Sequence, residues 1–157
     1  LTRVAVVDFD VHHGNGTQAA FENDKNLFYA SSHQFLCYPG TGAEGERGVA
    51  GNIVNAPLAP GTGSDAFRQA YSDRILPMLR GFAPELLIIS AGFDAHVRDP
   101  LAQLRLEDDD YAWVSDELAA VAADCCDGRI VSALEGGYDL EALSAACAEH
   151  VRVLMKS

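Results

Sequence analysis

Val4-Ala5-Val6-Val7-Asp8-Phe9-Asp10-Val11-His12-His13-Gly14-Asn15-Gly16 is the stretch on which the fold turns. Four apolar residues in succession read as a strand buried on both faces, the habit of a parallel sheet. The run then gives way to Asp8, Asp10 and His12. Side chains alternate across a strand, so these three share a face if the strand stays regular. Two carboxylates and an imidazole build a poor core, but they suit a divalent metal.

Outward from this stretch, strand and helix patterns alternate. Strands are expected at 3–8, 26–31, 51–56, 85–91 and 129–134, and helices at 16–22, 64–80, 107–124 and 139–155. Ser64 reads as the N-cap of the second helix, with Phe67, Ala70, Tyr71, Arg74 and Ile75 at helical spacing behind it. Leu118, Val121 and Ala122 mark the buried stripe of the third helix. Leu143, Ala146, Cys147, Val151 and Leu154 mark that of the last. The pattern is α/β with a parallel sheet, and no linker divides the chain.

Two further apolar runs end as the first does. Leu86–Ile89 leads into Ser90-Ala91-Gly92-Phe93-Asp94, and Ile130–Leu134 into Glu135-Gly136-Gly137-Tyr138-Asp139. Ligands of open α/β sheets sit beyond the carboxyl ends of the strands, where these residues fall. Asp10, His12 and Asp94 then form a three-ligand set with positions left for water and substrate, as in a hydrolytic site. Such an ion acidifies water and polarises a carbonyl, and Tyr138 is suited to donate its hydroxyl to the developing oxyanion. A lone Asp after a strand is usually a turn or cap residue, and a lone Gly-Gly-Tyr a turn with a packed aromatic. The case rests on all three occurring together. His13 is expected to be packed or hydrogen-bonded, His33 and His96 to lie near the site without direct chemistry, and His150 to be on the surface.

Composition narrows the function. The 157 residues are 48% hydrophobic, and 11 basic against 23 acidic residues give a net charge of −12. That disfavours nucleic acid as a partner, since phosphate backbones attract basic footprints. No apolar run approaches the roughly 20 residues needed to span a bilayer, so no membrane partner is expected. Cys37, Cys125, Cys126 and Cys147 show no CxxC spacing, which favours a reducing cytoplasm. Pro39–Gly48 resembles a phosphate loop only in its glycines; no Gly-Lys-Ser/Thr follows.

Four motifs in order give a resemblance. They are Asp8-Phe9-Asp10-Val11-His12-His13-Gly14-Asn15-Gly16-Thr17-Gln18, Tyr38-Pro39-Gly40-Thr41-Gly42, Ser90-Ala91-Gly92-Phe93-Asp94-Ala95-His96 with Asp99-Pro100-Leu101, and Glu135-Gly136-Gly137-Tyr138. From residue 3 to about 155 the chain resembles the histone deacetylase family, most closely its bacterial class II-like members, which share ancestry with acetylpolyamine amidohydrolases. The resemblance implies an arginase/deacetylase-like fold and zinc-dependent hydrolysis of an acetylated amine, from acetyl-lysine or acetylated polyamines. It implies Asp10, His12 and Asp94 as the zinc ligands and Tyr138 as the transition-state donor. Asp8 matches a carboxylate that orients a catalytic histidine. The backbone of Asp8, Asp10, His12 and Ser32, with the Ser31 hydroxyl, matches a structural potassium site. Asn15 stands where some members carry a second orienting Asp. Tyr38 and Leu101 match positions lining the acyl-lysine tunnel, and Gly137 falls beside the substrate.

The family's tandem His-His pair, its general base and acid, lies upstream of the first zinc motif and is not in these residues. The chain is therefore expected to be the C-terminal half of a deacetylase domain (1–157) and nearly inactive alone. It is also expected to expose an unpaired sheet edge beside its first strand, and to need an N-terminal half or a homo-oligomer for stability. Two alternatives stand beside this reading. One is a two-manganese ureohydrolase, which would need more bridging carboxylates than Asp94-Ala95-His96 supplies. The other is a non-catalytic metal-bearing binding module.

Overall fold

Each apolar run becomes a strand: β1 (Val4–Asp8), β2 (Leu27–Gln34), β3 (Ile53–Leu58), β4 (Leu86–Ala91) and β5 (Ile130–Leu134). The computed structural model describes residues 1–156. All four strand pairs are parallel, in the order β3-β2-β1-β4-β5. The helices are α1 (Asn15–Phe21), α2 (Ser64–Ala70), α3 (Leu76–Phe82), α4 (Asp108–Cys126) and α5 (Leu140–Leu154). None of them is long and apolar enough to cross a membrane.

Alternation along the strands sorts side chains into two layers. Ala5, Val7, Phe28, Ala30, Leu87 and Ile89 join the main core with Tyr71, Leu79, Val114, Leu118 and Ala146 of the later helices. On the opposite face Val6, Tyr29 and Ile53 form a smaller cluster with Phe21 of α1. The later helices cover one face in full, while α1 covers the other beside β1 to β3 and leaves β4 and β5 partly open there.

Three local details depart from the sequence expectation. The second helix is broken: Tyr71–Ile75 forms a π-helical turn between α2 and α3. Pro77 has no N–H to offer Asp73, and the wider turn absorbs the lost bond. Gly63, not Ser64, is the N-cap of α2. Ser64 is the first helical residue, and its hydroxyl donates instead to Asp110 Oδ2 at 2.7 Å. His150 is buried, not on the surface, at 3% exposure. Its ring lies between Ser115 Oγ of α4 (2.6 Å) and Ser132 Oγ of β5 (2.8 Å).

The sheet edges also differ from expectation. The first strand is central, paired on both sides, so no edge opens beside it. The edges are β3 and β5, and β5 is exposed from Val131 to Leu134. Between β2 and β3 no crossover helix occurs; residues 35–52 run as an irregular loop. Long structureless loops in compact domains usually serve a site.

Candidate metal centre

The strand order reverses between β1 and β4: β2 and β3 extend the sheet one way, β4 and β5 the other. A crevice opens at such a switch point beyond the carboxyl ends of the strands. Asp8, the last residue of β1, lies in register with Ser31 of β2 and Ser90 of β4; β4 ends one residue later and β2 three. Asp10 and His12 follow β1 directly, and Asp94 follows β4. Their ligating atoms all lie within 4.8 Å of one another, the one such group of three among the described residues.

His12 turns Nδ1 toward both carboxylates, 3.0 Å from Asp10 Oδ1 and 3.1 Å from Asp94 Oδ2. The other oxygens are held by backbone: Asp94 Oδ1 accepts from Val11 N at 2.8 Å, and Asp10 Oδ2 from Gly136 N at 2.9 Å. Asp94 Oδ2 is buried and, apart from the His12 ring nitrogen at 3.1 Å, has no hydrogen-bond partner among the described residues. A buried carboxylate oxygen left in that state is costly, and a cation removes the cost. Burial, and then the neighbouring Asp10 charge, push the Asp94 carboxyl well above its usual range. Two hard oxygens and an imidazole nitrogen on one side, solvent on the other, fit a divalent ion with open positions.

The cradle is built from glycine. A Cβ on Gly136 would collide with the Asp94 and Asp10 carboxylates, and one on Gly92 with Asp10. A Cβ on Gly14 would come within 2.6 Å of both Asp8 Oδ2 and the Tyr29 hydroxyl. Asp8 is buried, accepts from Tyr29 Oη at 2.9 Å and from Asp10 N at 3.0 Å, and has its pKa raised by burial to about 8. With Asp10, His12, His13, Gly14, Thr17, Ser90 and Glu135 it lines a polar cavity of about 190 Å³.

Other singled-out residues fall around this cluster. Tyr138 is half exposed on the turn after β5, and burial together with the Asp94 and Asp10 charges raises its phenol pKa. Gly137 has φ +142°, a conformation that frees the backbone just before the phenol. Tyr38 is exposed, its ring 6.4 Å from that of His12, and Leu101 is exposed as well. Ser31 and Ser32 are buried, the first bonded to His33 Nδ1 at 2.9 Å and the second to the Tyr71 hydroxyl at 3.2 Å. Asn15 heads α1 with its side chain in solvent.

The remaining histidines serve elsewhere. His13 is buried, with Nδ1 at 2.7 Å from Thr41 Oγ1 and Nε2 at 2.8 Å from Gln18 Oε1. His33 packs on it and bonds the Gly42 carbonyl at 3.0 Å. His96 is buried, stacked on Tyr111, with Nε2 at 3.3 Å from Asp108. Two partners escaped the sequence reading. Tyr29 left a signal, because Tyr29, Ser31 and His33 alternate as a polar face on β2; Asp99, which accepts from Tyr138 N at 2.8 Å, stood in the Asp99-Pro100-Leu101 motif with no role assigned.

A family model described as the histone deacetylase domain matches residues 1–154. The chain belongs to the histone deacetylase family. Histone deacetylase 14, chloroplastic, of Arabidopsis thaliana is 42% identical to it, across 99% of this chain and 37% of that protein. The histone deacetylase-like amidohydrolase of Pseudomonas aeruginosa is 43% identical, across 88% of this chain and 37% of that protein. The crystal structure of the HDA15 HD domain superposes with a TM-score of 0.92 at 38% identity, across 99% of this chain and 45% of that one. This deacetylase-family chain therefore spans less than half the length of these relatives.

Proposed function

We propose that the intact protein is a zinc-dependent amide hydrolase that removes acetyl groups from acetylated amines. The observation that carries this reading is the Asp10–His12–Asp94 cluster at the switch point of the sheet, where the buried Asp94 Oδ2 has no partner among the described residues but the His12 ring. Those three residues would hold the ion. When bound, it supplies the Lewis acidity that polarises an amide carbonyl and activates water.

The chain's own groups do the rest. Tyr138 donates its hydroxyl to the oxygen that becomes an oxyanion. Tyr38 and Leu101 flank the acyl chain, and the backbone at Gly137, lacking a side chain, lets the substrate approach. Asp8, with the backbone of Asp10, His12 and Ser32 and the Ser31 hydroxyl, would hold a structural potassium ion.

Proton transfer needs a further group. Of the five histidines, His12 faces the two carboxylates, and His13, His33, His96 and His150 are buried with partners of their own. The family resemblance implies an imidazole from outside these 157 residues as the general base, and Asp8, in the wall of the polar cavity, would orient it. The test is made in the intact protein. Asp94→Ala should lose both metal and turnover, whereas Tyr138→Phe should keep metal and lose ~10²–10³-fold in kcat, as for removal of an oxyanion donor. Unchanged turnover in Tyr138→Phe, or full metal content in Asp94→Ala, overturns the reading.

A further inference from the structure

The Tyr138 phenol follows two glycines, and the second has a φ that only glycine adopts readily. Nothing in Gly136-Gly137 itself fixes where the phenol points. The turn is held from outside at two places. Upstream, Gly136 N donates to Asp10 Oδ2 at 2.9 Å, and the Gly136 carbonyl accepts from Phe93 N at 2.7 Å. Downstream, Tyr138 N donates to Asp99 Oδ2 at 2.8 Å.

Asp99 is an unusual residue to find there. It is 7% exposed, yet no cation among the described residues pairs with it. Its neighbour Arg98 turns away, to Glu141 at 2.7 Å and Asp139 at 3.3 Å. Burying a carboxylate without a counter-ion costs free energy unless strong hydrogen bonds offset it. Both Asp99 oxygens are spent on backbone donors: Oδ2 on Tyr138, and Oδ1 on Leu101 N at 3.0 Å. Pro100 between them has no N–H to compete. One carboxylate thus joins two segments 39 residues apart: the turn bearing the oxyanion donor and the loop bearing Leu101.

We propose that Asp99 is a positioning residue that locks the Tyr138 turn and the Leu101 wall into one unit. The inference rests on the amide-hydrolase reading and says which residue aims its donor. An acyl group seated against Leu101 then meets the phenol at a fixed distance, because both are referred to the same two oxygens. Asparagine cannot replace this: an amide offers one acceptor oxygen and points an NH₂ at the second backbone donor.

The experiment is a double-mutant cycle in the intact protein with an acetyl-lysine peptide: Asp99→Ala and Asp99→Asn, each alone and combined with Tyr138→Phe, with metal content measured for every variant. A displacement of about 1 Å at a reacting group costs ~10²-fold. Asp99→Ala should therefore lower kcat by ~10–10²-fold, with KM shifted less and metal retained, and Asp99→Asn should fall between it and wild type. In the Tyr138→Phe background the Asp99 substitutions should add almost nothing, since there is no donor left to aim.

Additive losses overturn the proposal, as does parallel loss of metal and kcat in Asp99→Asn, or wild-type kcat in both variants. Should Asp99→Ala fail to fold, Asp99→Asn decides alone, and undiminished kcat there overturns it. A Tyr138→Phe protein with full turnover would instead sink the reading of Tyr138, an outcome distinct from failure of the Asp99 coupling.

Discussion

At Gly136 the missing side chain is what the site requires. Its hydrogen occupies space that a Cβ would share with the Asp94 and Asp10 carboxylates. Gly136→Ala should therefore push the ligands apart and weaken metal affinity by ~10–100-fold, the usual cost of disturbing what supports a ligand set. Competition titration against a chelator reads this; wild-type affinity would contradict it. The Asp10–His12–Asp94 cluster was legible because all three follow strand ends; alternation did not place it, since β1 stops at Asp8. Gly92, Gly136 and Asp99 were not, since each acts on a residue distant in sequence. The buried histidines make a second prediction. Burial, then the neighbouring His13, lowers the His33 pKa from 6.5 to about 4, so the fold holds it neutral while the unfolded chain protonates. That contribution is complete above pH 6.5 and is lost as pH falls toward 4. The raised Asp8 and Asp94 carboxyls act in the opposite sense, so the comparison must be with a variant. The stability of wild type relative to His33→Gln should fall by about 2 kcal/mol between pH 7 and 5. Urea unfolding at the two pH values checks it; a constant difference refutes it.

Between elements, buried polar residues do the joining. Asp110 is fully buried in the first turn of α4 and accepts from Ser64 Oγ (2.7 Å), Arg68 Nε (2.8 Å) and Glu107 N (3.0 Å). It caps α4 and ties it to α2 at once. Asp110→Ala strands the Ser64 and Glu107 donors and frees Arg68, whose side chain is 37% exposed, and should cost about 1–3 kcal/mol, the range for donors left unsatisfied. Thermal unfolding measures this, and a loss below about 1 kcal/mol would put Asp110 among exposed pairs instead. The five strands and the long helices were readable from periodicity alone. What escaped was polar: β2 runs on through Ser32, His33 and Gln34 because tertiary partners satisfy them. His150 escaped although its spacing pointed inward. Ala142, Ala146 and His150 stand at i, i+4 and i+8 and form the buried stripe of α5, but an imidazole is not read as core until Ser115 and Ser132 are seen beside it.

For the whole molecule, strand order is what the sequence could not supply. Apolar runs say that strands exist and are covered; which strand lies at an edge depends on crossovers that leave no local mark. The structure puts β1 in the centre and leaves β5 with an unpaired backbone, Val131 at 53% and Leu134 at 63% exposure. An exposed apolar edge strand recruits another strand. The chain also carries a net charge of −12, so two copies repel each other at long range. Salt screens that repulsion and leaves the short-range pairing in place. The isolated 157 residues should therefore associate more strongly as salt rises, opposite to an assembly held by ion pairs. Val131→Lys, which puts a charge on the edge without touching the metal ligands, should suppress association at every salt concentration. Sedimentation velocity across a salt series decides it. A monomer that stays monodisperse at high salt, or a Val131→Lys chain that associates as wild type does, would show that β5 is not the surface that seeks a partner.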